Sequence, residues 1–203
     1  MEGLLHGPWV YLALFGFAVA ENSVGLGLVL PIDTLVIGAA SLSALGELSA
    51  PEIVLVVFVG AVIGDSIGYL LGRRFGPTIT GKLDGHLGID EHRIDQARGF
   101  FARWGMWAVA IGRVLPVVRF LVVLLAGDLG LPYRRFLIAD CIGVAAWLAM
   151  HFTLGYVIGT SVDQIGGTKD LVIGAAIAVT AAVAALLTLR WWRHRHTVRR
   201  ASG

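Results

Sequence analysis

Apolar positions run along this chain in blocks too long for the core elements of a soluble domain. Leu171 to Leu189 supplies nineteen residues without a charge, against the about 20 that a helix needs to cross a bilayer. Pro51 to Gly72 forms a second block, interrupted by Glu52 at its mouth and Asp65 inside. Phe136 to Gly159 forms a third, carrying Asp140 and His151. Two further apolar stretches do not read as ordinary spans. Residues 8–48 are too long for one crossing and are broken by Glu21, Asn22, several glycines and Pro31. Residues 104–131 hold Arg113, Pro116 and Arg119 near their middle.

Composition agrees with a bilayer as the solvent. The 203 residues are 57% hydrophobic and 15% charged, with a mean hydropathy of +0.79, whereas a soluble domain carries about 25% charged residues. Disorder is excluded, and a single cysteine, Cys141, excludes a disulfide scaffold. The net charge is only +2, but eleven of the sixteen basic residues fall between Arg73 and Arg103 or between Arg190 and Arg200. Both groups border apolar blocks, so the positive-inside rule puts them in the cytoplasm. The tail from Arg190 follows a span and contains Trp191 and Trp192. It reads as an interfacial anchor, not as a nucleic-acid arm. A cleavable signal peptide is not expected, because no Lys or Arg precedes the first apolar stretch.

Parity then constrains the topology. With the 73–103 block, Arg134-Arg135 and the C-terminal block all cytoplasmic, residues 104–131 must cross an even number of times, yet they are too short for two full helices. A re-entrant hairpin turning at Pro116 meets both conditions if its broken backbone is buried in protein or lines a cavity. The same logic makes residues 21–48 a second hairpin entering from the opposite face. The 160–170 connection is external. A helix near residues 8–20 is equally compatible with an interfacial or a spanning position. Each half contains a Pro-bearing apolar hairpin, a Gly-rich exit, a proline (Pro51, Pro132) and a span with one buried Asp (Asp65, Asp140). That order is the sign of an inverted repeat.

The predicted fold is therefore an all-α integral membrane protein with two opposed re-entrant hairpins, three to four transmembrane helices and an inverted-repeat arrangement. Residues 1–192 make one polytopic domain and 193–203 a basic cytoplasmic tail. Within the 73–103 insert, Ile94, Ala97, Phe101 and Trp104 recur at helical spacing. An amphipathic surface helix is preferred there over a metal site built from His86, Asp90, Glu91, His92 and Asp95.

A charge at the bilayer centre costs about 2.5–3.5 kcal/mol on insertion scales. The chain accepts that cost at Glu21, Asp33, Asp65, Arg113, Arg119 and Asp140. Ion pairing that locks helices together is one reading, equally weighted with function for Asp65 and Asp140. For the hairpin residues a polar chamber is favoured. Arg113 and Arg119 flank Pro116, remain charged when buried, and offer forks that match phosphate oxygens. Glu21 and Asp33 can take up and release protons. No metalloprotease, serine-hydrolase or P-loop motif is present. His151 reads as a packed polar contact, and Ser66 has no histidine placed by spacing to activate it. Neither a cofactor nor enzymatic activity is expected.

These residues carry a resemblance. Glu21-Asn22 with Leu30-Pro31-Ile32-Asp33, Gly64-Asp65-Ser66-Ile67-Gly68-Tyr69 with Gly72, and Gly112-Arg113 to Val118-Arg119 followed by Ala126-Gly127 and Tyr133-Arg134-Arg135-Phe136 resemble the DedA family of bacterial membrane proteins. Gly143 and Trp147 continue the likeness, which covers about residues 15–160. The family shares a domain with eukaryotic lipid scramblases. Ile32 stands where a glycine is usual, Asp140 where an asparagine is common, and Asp128 follows Gly127 in place of an apolar residue.

The resemblance implies opposed re-entrant helices, a bacterial inner (plasma) membrane location with multiple passes and a cytoplasmic C-terminus, and movement of lipid phosphates. Undecaprenyl phosphate is the expected substrate, returned to the cytoplasmic leaflet with dependence on the proton-motive force. By position, Arg113 and Arg119 would hold the phosphate, Glu21 and Asp33 would gate or carry protons, and Asp65 and Asp140 would be secondary polar groups. Expected partners are the lipid phosphate and protons, without nucleic acid or metal, and a homodimer is allowed. The alternatives are a proton- or cation-coupled transporter of a small soluble solute, a phospholipid scramblase, and a scaffold in which the charges are structural pairs.

Overall fold

The computed structural model describes residues 7–24, 32–83, 91–113 and 119–164; the expected span 171–189, the basic tail and both hairpin tips lie outside them. Among the described residues every regular element is a helix: α1 (Pro8–Val24), α2 (Ile32–Ala44), α3 (Ala50–Leu83), α4 (Glu91–Trp104), α5 (Trp107–Gly112), α6 (Arg119–Asp128) and α7 (Tyr133–Gln164). Two stretches, Ala50–Phe75 and Tyr133–Gln164, are long and apolar enough to cross a membrane. At 1.5 Å per residue, α2, α5 and α6 are roughly 20, 9 and 15 Å long, short of the about 30 Å hydrocarbon core.

Small residues at four-residue spacing decide how these helices meet. Gly60, Gly64, Gly68 and Gly72 form one stripe along α3. A Cβ at Gly60 would meet Phe15 and Ala18 of α1, one at Gly64 Val19 and Asn22, and one at Gly72 the backbone of Leu124 in α6. Gly68 lies where the two neighbours come together, since a Cβ there would sit 3.1 Å from Val123 of α6 and 3.3 Å from the Asn22 carbonyl. The C-terminal end of α1 thus meets the N-terminal half of α6 on the flank of α3. Helix α7 repeats the device: Gly143 packs on Ala110 of α5, and Gly155 and Gly159 pack on Ile37 and Ser41 of α2. Rising residue numbers run together in these contacts, so α1 and α6 lie parallel to α3, and α2 lies parallel to α7. Helices α1 and α2 are antiparallel, tied by the Ser49 N–H donating to Tyr11 Oη at one end and the Ile32 N–H donating to Glu21 Oε2 at the other. Helices α3 and α7 consequently run in opposite directions.

The two halves also end their short helices alike. After α2, the Glu47 N–H reaches the Leu42 carbonyl and the Gly46 N–H that of Ser43. After α6, the Leu131 N–H reaches Ala126 and the Gly130 N–H reaches Gly127. Gly46 and Gly130 have φ of 76° and 70°, the left-handed conformation such a cap requires and glycine adopts without penalty. Pro51 and Pro132 then stand at the start of the long helices, where a missing N–H costs nothing.

Two apolar cores result. One joins Leu14 and Ala18 of α1 with Ile32, Val36 and Ala39 of α2, Ile53 and Val57 of α3, and Trp147 and Leu148 of α7. The other joins Tyr69 with Phe101, Val109, Leu121 to Ala126 and Phe136. Outward faces are apolar too: Leu55, Ile63 and Leu70 on α3, and Ile138, Met150, Leu154 and Val157 on α7, are exposed. A helix apolar on every face belongs in a membrane.

The insert departs from expectation in part. Helix α3 continues unbroken to Leu83, and only 91–104 forms the separate helix. Phe101 is buried in the second core while Trp104 is exposed, because α4 docks on the bundle by its C-terminal turn before the chain bends at Gly105. Gly72→Ala and Gly127→Ala, each placing a methyl against backbone across the α3–α6 contact, are predicted to cost about 1–3 kcal/mol. Gly99→Ala, with open space around it, is predicted to cost nothing; thermal unfolding in detergent compares the three.

Candidate functional site

Between the two cores lies a layer of charge. Asp65 sits on the inward stripe of α3, one residue after Gly64, and is buried. Along α7 the inward face carries Asp140, Val144, Trp147 and His151 at three- to four-residue spacing. Helices α1 and α2 supply Glu21 and Asp33 beside their connection. The α5–α6 pair supplies Arg113, just past the end of α5, and Arg119, the first residue of α6. The broken segments therefore deliver their charges to the level of Asp65 on α3 and of Asp140 to His151 on α7.

The six expected residues do converge, as two clusters with a division of partners the sequence did not reveal. Arg113 pairs with Asp65, and its Nη1 also donates to Asp140 Oδ1 at 3.1 Å. Its Nη2 reaches Asn22 Oδ1 at 3.5 Å. The Arg113 side chain is 4% exposed and that of Asp140 is 0% exposed. Both of its carboxylate contacts run through one guanidinium nitrogen; Nε, like Asp140 Oδ2, is buried without a partner among the described residues. The triad is enclosed and held more by charge than by saturated hydrogen bonding. With Asp65 and Asp140 occupying it, Arg113 is not free to receive a phosphate in this conformation.

Arg119 takes the other two acids. Its Nη2 pairs with Glu21 and its Nη1 lies 3.3 Å from Asp33 Oδ1. Glu21 is also fixed by the Ile32 N–H, 2.8 Å from Oε2. This cluster is more open: Arg119 is 12% and Asp33 31% exposed. Two further residues complete it. Trp147 donates its indole N–H to Asp33 Oδ1 at 2.9 Å, and His151 Nε2 lies 3.3 Å from the same oxygen. The Trp147 and His151 rings pack 4.8 Å apart, and His151 Nδ1 is 2.9 Å from the Trp147 carbonyl. That carbonyl can only accept, so Nδ1 carries the proton and a neutral His151 would present a bare Nε2 to Asp33. A charge-assisted contact there requires the doubly protonated ring.

Sequence reasoning set His151 aside as a packing contact and met Trp147 only through the family likeness. Their spacing of four, seven residues beyond Asp140, puts all three on one helix face, and that was the available signal. Asn22, adjacent to Glu21 on α1, links the clusters by contacting Arg113. A third polar group, not anticipated, lies nearby: Ser66 Oγ is 3.1 Å from Tyr133 Oη, and Tyr69 Oη accepts from Arg73 at 3.0 Å while donating to the Leu131 carbonyl at 2.6 Å.

Long helices with apolar outward faces around a buried layer of ionised side chains define an all-α integral membrane protein. Comparison with known sequences gives the family. Residues 30–157 match the VTT domain, and the chain belongs to that family, the family of DedA. It is 35% identical over 203 aligned residues to the uncharacterized membrane protein Rv2637 of Mycobacterium tuberculosis, covering 94% of this chain and 88% of that protein. It is 32% identical to the uncharacterized membrane protein slr0232 of Synechocystis, over 74% of this chain and 68% of that one. It is 26% identical to Protein DedA of Escherichia coli, over 85% and 79% respectively. No solved structure matches the chain.

Removing one member of a buried ion cluster leaves the others uncompensated, at about 3–5 kcal/mol, whereas replacing the whole set by neutral groups is often tolerated. Arg113→Met alone is therefore predicted to abolish accumulation of folded protein. The triple variant Arg113→Met, Asp65→Asn, Asp140→Asn is predicted to restore it, as read by monodisperse elution and a thermal transition in detergent.

Proposed function

We propose that this protein moves a lipid phosphate across a bacterial plasma membrane, with undecaprenyl phosphate returning to the cytoplasmic leaflet as the transport event. Family membership points to membrane transport of the flippase type. The relatives named above come from bacteria, and two of them are named membrane proteins, in keeping with that location. In this reading α3, α7 and residues 171–189 cross the bilayer, α1–α2 and α5–α6 enter from opposite faces, and the C-terminus is cytoplasmic. The antiparallel course of α3 and α7 and the shortness of α2, α5 and α6 support it.

The observation that carries the proposal is the unequal burial of the two arginines. Arg113 is sealed between two acids, while Arg119 sits beside an acid that is 31% exposed. Arg119 is also held by two acids, but it is the more exposed cation and Asp33 is the partner with room to yield it to a phosphate; Arg113 holds the helices that present it. This revises the equal roles that the sequence assigned to the two. A guanidinium offers paired donors in the plane of phosphate oxygens. The exposed apolar faces of α3 and α7 would leave the acyl or prenyl tail in the bilayer while the headgroup passes the charged layer. Protons couple through Glu21 and Asp33, since with Arg119 they form a set with one more acid than fixed cation. Loading one proton removes the surplus charge from a medium where charge is costly.

In proteoliposomes containing undecaprenyl phosphate, Arg119→Ala is predicted to slow lipid movement at least tenfold, the loss expected when a charge-assisted contact worth about 1.5–3 kcal/mol is removed. Arg119→Lys should recover part of the rate, because it keeps the charge but not the fork. A well-folded Arg119→Ala protein moving the lipid at the wild-type rate would overturn the proposal. Selective loss of transport of a soluble anion, with lipid movement intact, would favour the small-solute alternative.

A further inference from the structure

Two donors and an imidazole nitrogen, from two helices, converge on a single atom. Asp33 Oδ1 receives Arg119 Nη1 at 3.3 Å and Trp147 Nε1 at 2.9 Å, and His151 Nε2 lies 3.3 Å from it. Such convergence exceeds what pairing needs, because Glu21 already neutralises Arg119 and the Ile32 N–H already fixes Glu21. Asp33 is the second acid on that arginine. It is also the most exposed of the four acids, at 31% of its side chain, against 1% for Glu21, 4% for Asp65 and 0% for Asp140. Its position, second in α2, lets the carboxylate leave by rotation about its own side-chain bonds without disturbing either apolar core.

We propose that Arg119, Trp147 and His151 form an anion cage that Asp33 occupies as a resident stand-in, and that a phosphoryl oxygen of the lipid headgroup takes the Asp33 Oδ1 position during transport. This deepens the transport reading above and rests on it. The groups suit an oxyanion: a guanidinium and an indole N–H donate and cannot accept, and an imidazole donates from Nε2 only when both of its nitrogens carry protons. Exchanging carboxylate for phosphate keeps the guanidinium and the indole satisfied, whereas ejecting Asp33 alone would strand buried donors. Asp33 thus competes with the substrate for the cage and, by returning to it, releases the substrate. The groups that face His151 are Asp33 from α2 and, through the shared oxygen, Arg119 from α6. Glu21 of α1 stands behind Arg119. Trp147 and His151 are on this account binding residues, one helical turn apart on α7, and the i, i+4 ring contact between them fixes the aim of both N–H groups.

The test is equilibrium binding of farnesyl phosphate to the full chain in detergent, with farnesol as the phosphate-free control, beside lipid movement in proteoliposomes. Asp33→Ala should bind farnesyl phosphate several-fold more tightly than the wild type while moving lipid more slowly, because the competitor that expels substrate is gone. Asp33→Asn, which keeps the shape and drops the charge, should bind more tightly too and serves if the alanine variant does not fold. Trp147→Phe should weaken binding about five- to tenfold, the share of one hydrogen bond, with a lowered but still cooperative thermal transition, since the ring volume lost lies in the first apolar core. His151→Ala should weaken it similarly, and His151→Gln, which retains a donor, should recover part of the loss. Unchanged or weaker binding in both Asp33 variants, or wild-type binding in Trp147→Phe, would overturn the cage. If Arg119→Ala still abolished binding in that case, the transport reading would stand without it. Absence of farnesyl phosphate binding to the wild type, or binding that survives Arg119→Ala, would overturn both.

Discussion

Everything in this fold answers to one constraint: four carboxylates and two guanidinium groups lie in a layer that the surrounding apolar helices would otherwise keep dry. Unpaired, each charge would cost several kcal/mol, so the helices must be arranged around their pairing. Arg113, with Asp65 on α3 and Asp140 on α7, ties the two long, oppositely directed helices through a residue that belongs to neither. The short helices bring Glu21, Asp33, Arg113 and Arg119 into this layer, where each side chain finds a partner of opposite charge.

Glycine makes the pairing geometrically reachable. Arginine and aspartate side chains bridge only a few ångströms, and the four-residue stripe on α3 lets α1 and α6 approach close enough for Glu21 to meet Arg119 and Asn22 to meet Arg113. The matching caps at Gly46 and Gly130 repeat one solution in both halves. One cluster is enclosed and braces the bundle; its counterpart, with Asp33 partly exposed, is left accessible.

Much of this was legible in the chain. Interrupted hydrophobicity marked the short helices near Asp33, Arg113 and Arg119, but the first hairpin was expected to begin at residue 21, whereas one helix, Pro8–Val24, carries Glu21 in its last turn. The proline and glycine punctuation located the starts of α3 and α7. The pairing scheme was not legible, since which acid meets which arginine depends on helix rotations that spacing along one segment does not fix. Arg113 and Arg119 look alike in sequence, flanking one proline, yet differ in burial because one follows the end of α5 against Asp140 and the other opens α6 beside Asp33. His151 was missed for a related reason: its place on the face of Asp140 and Trp147 was readable, but its partner was not, because Asp33 comes from another helix. Helix α3 ran past its expected end at Gly72 and on through Gly76 and Pro77 to Leu83, a continuation that residue propensity does not explain.

The central claim is that one arginine braces and the other works, and transport by two fully neutralised clusters tests it most directly. Lipid-phosphate movement would be compared between the Arg113→Met, Asp65→Asn, Asp140→Asn chain and its counterpart Arg119→Met, Glu21→Gln, Asp33→Asn, both verified as folded. The account predicts that the first keeps a rate within a factor of a few of the wild type and the second has none. A folded first variant that is inactive, beside a second that still transports, would contradict it.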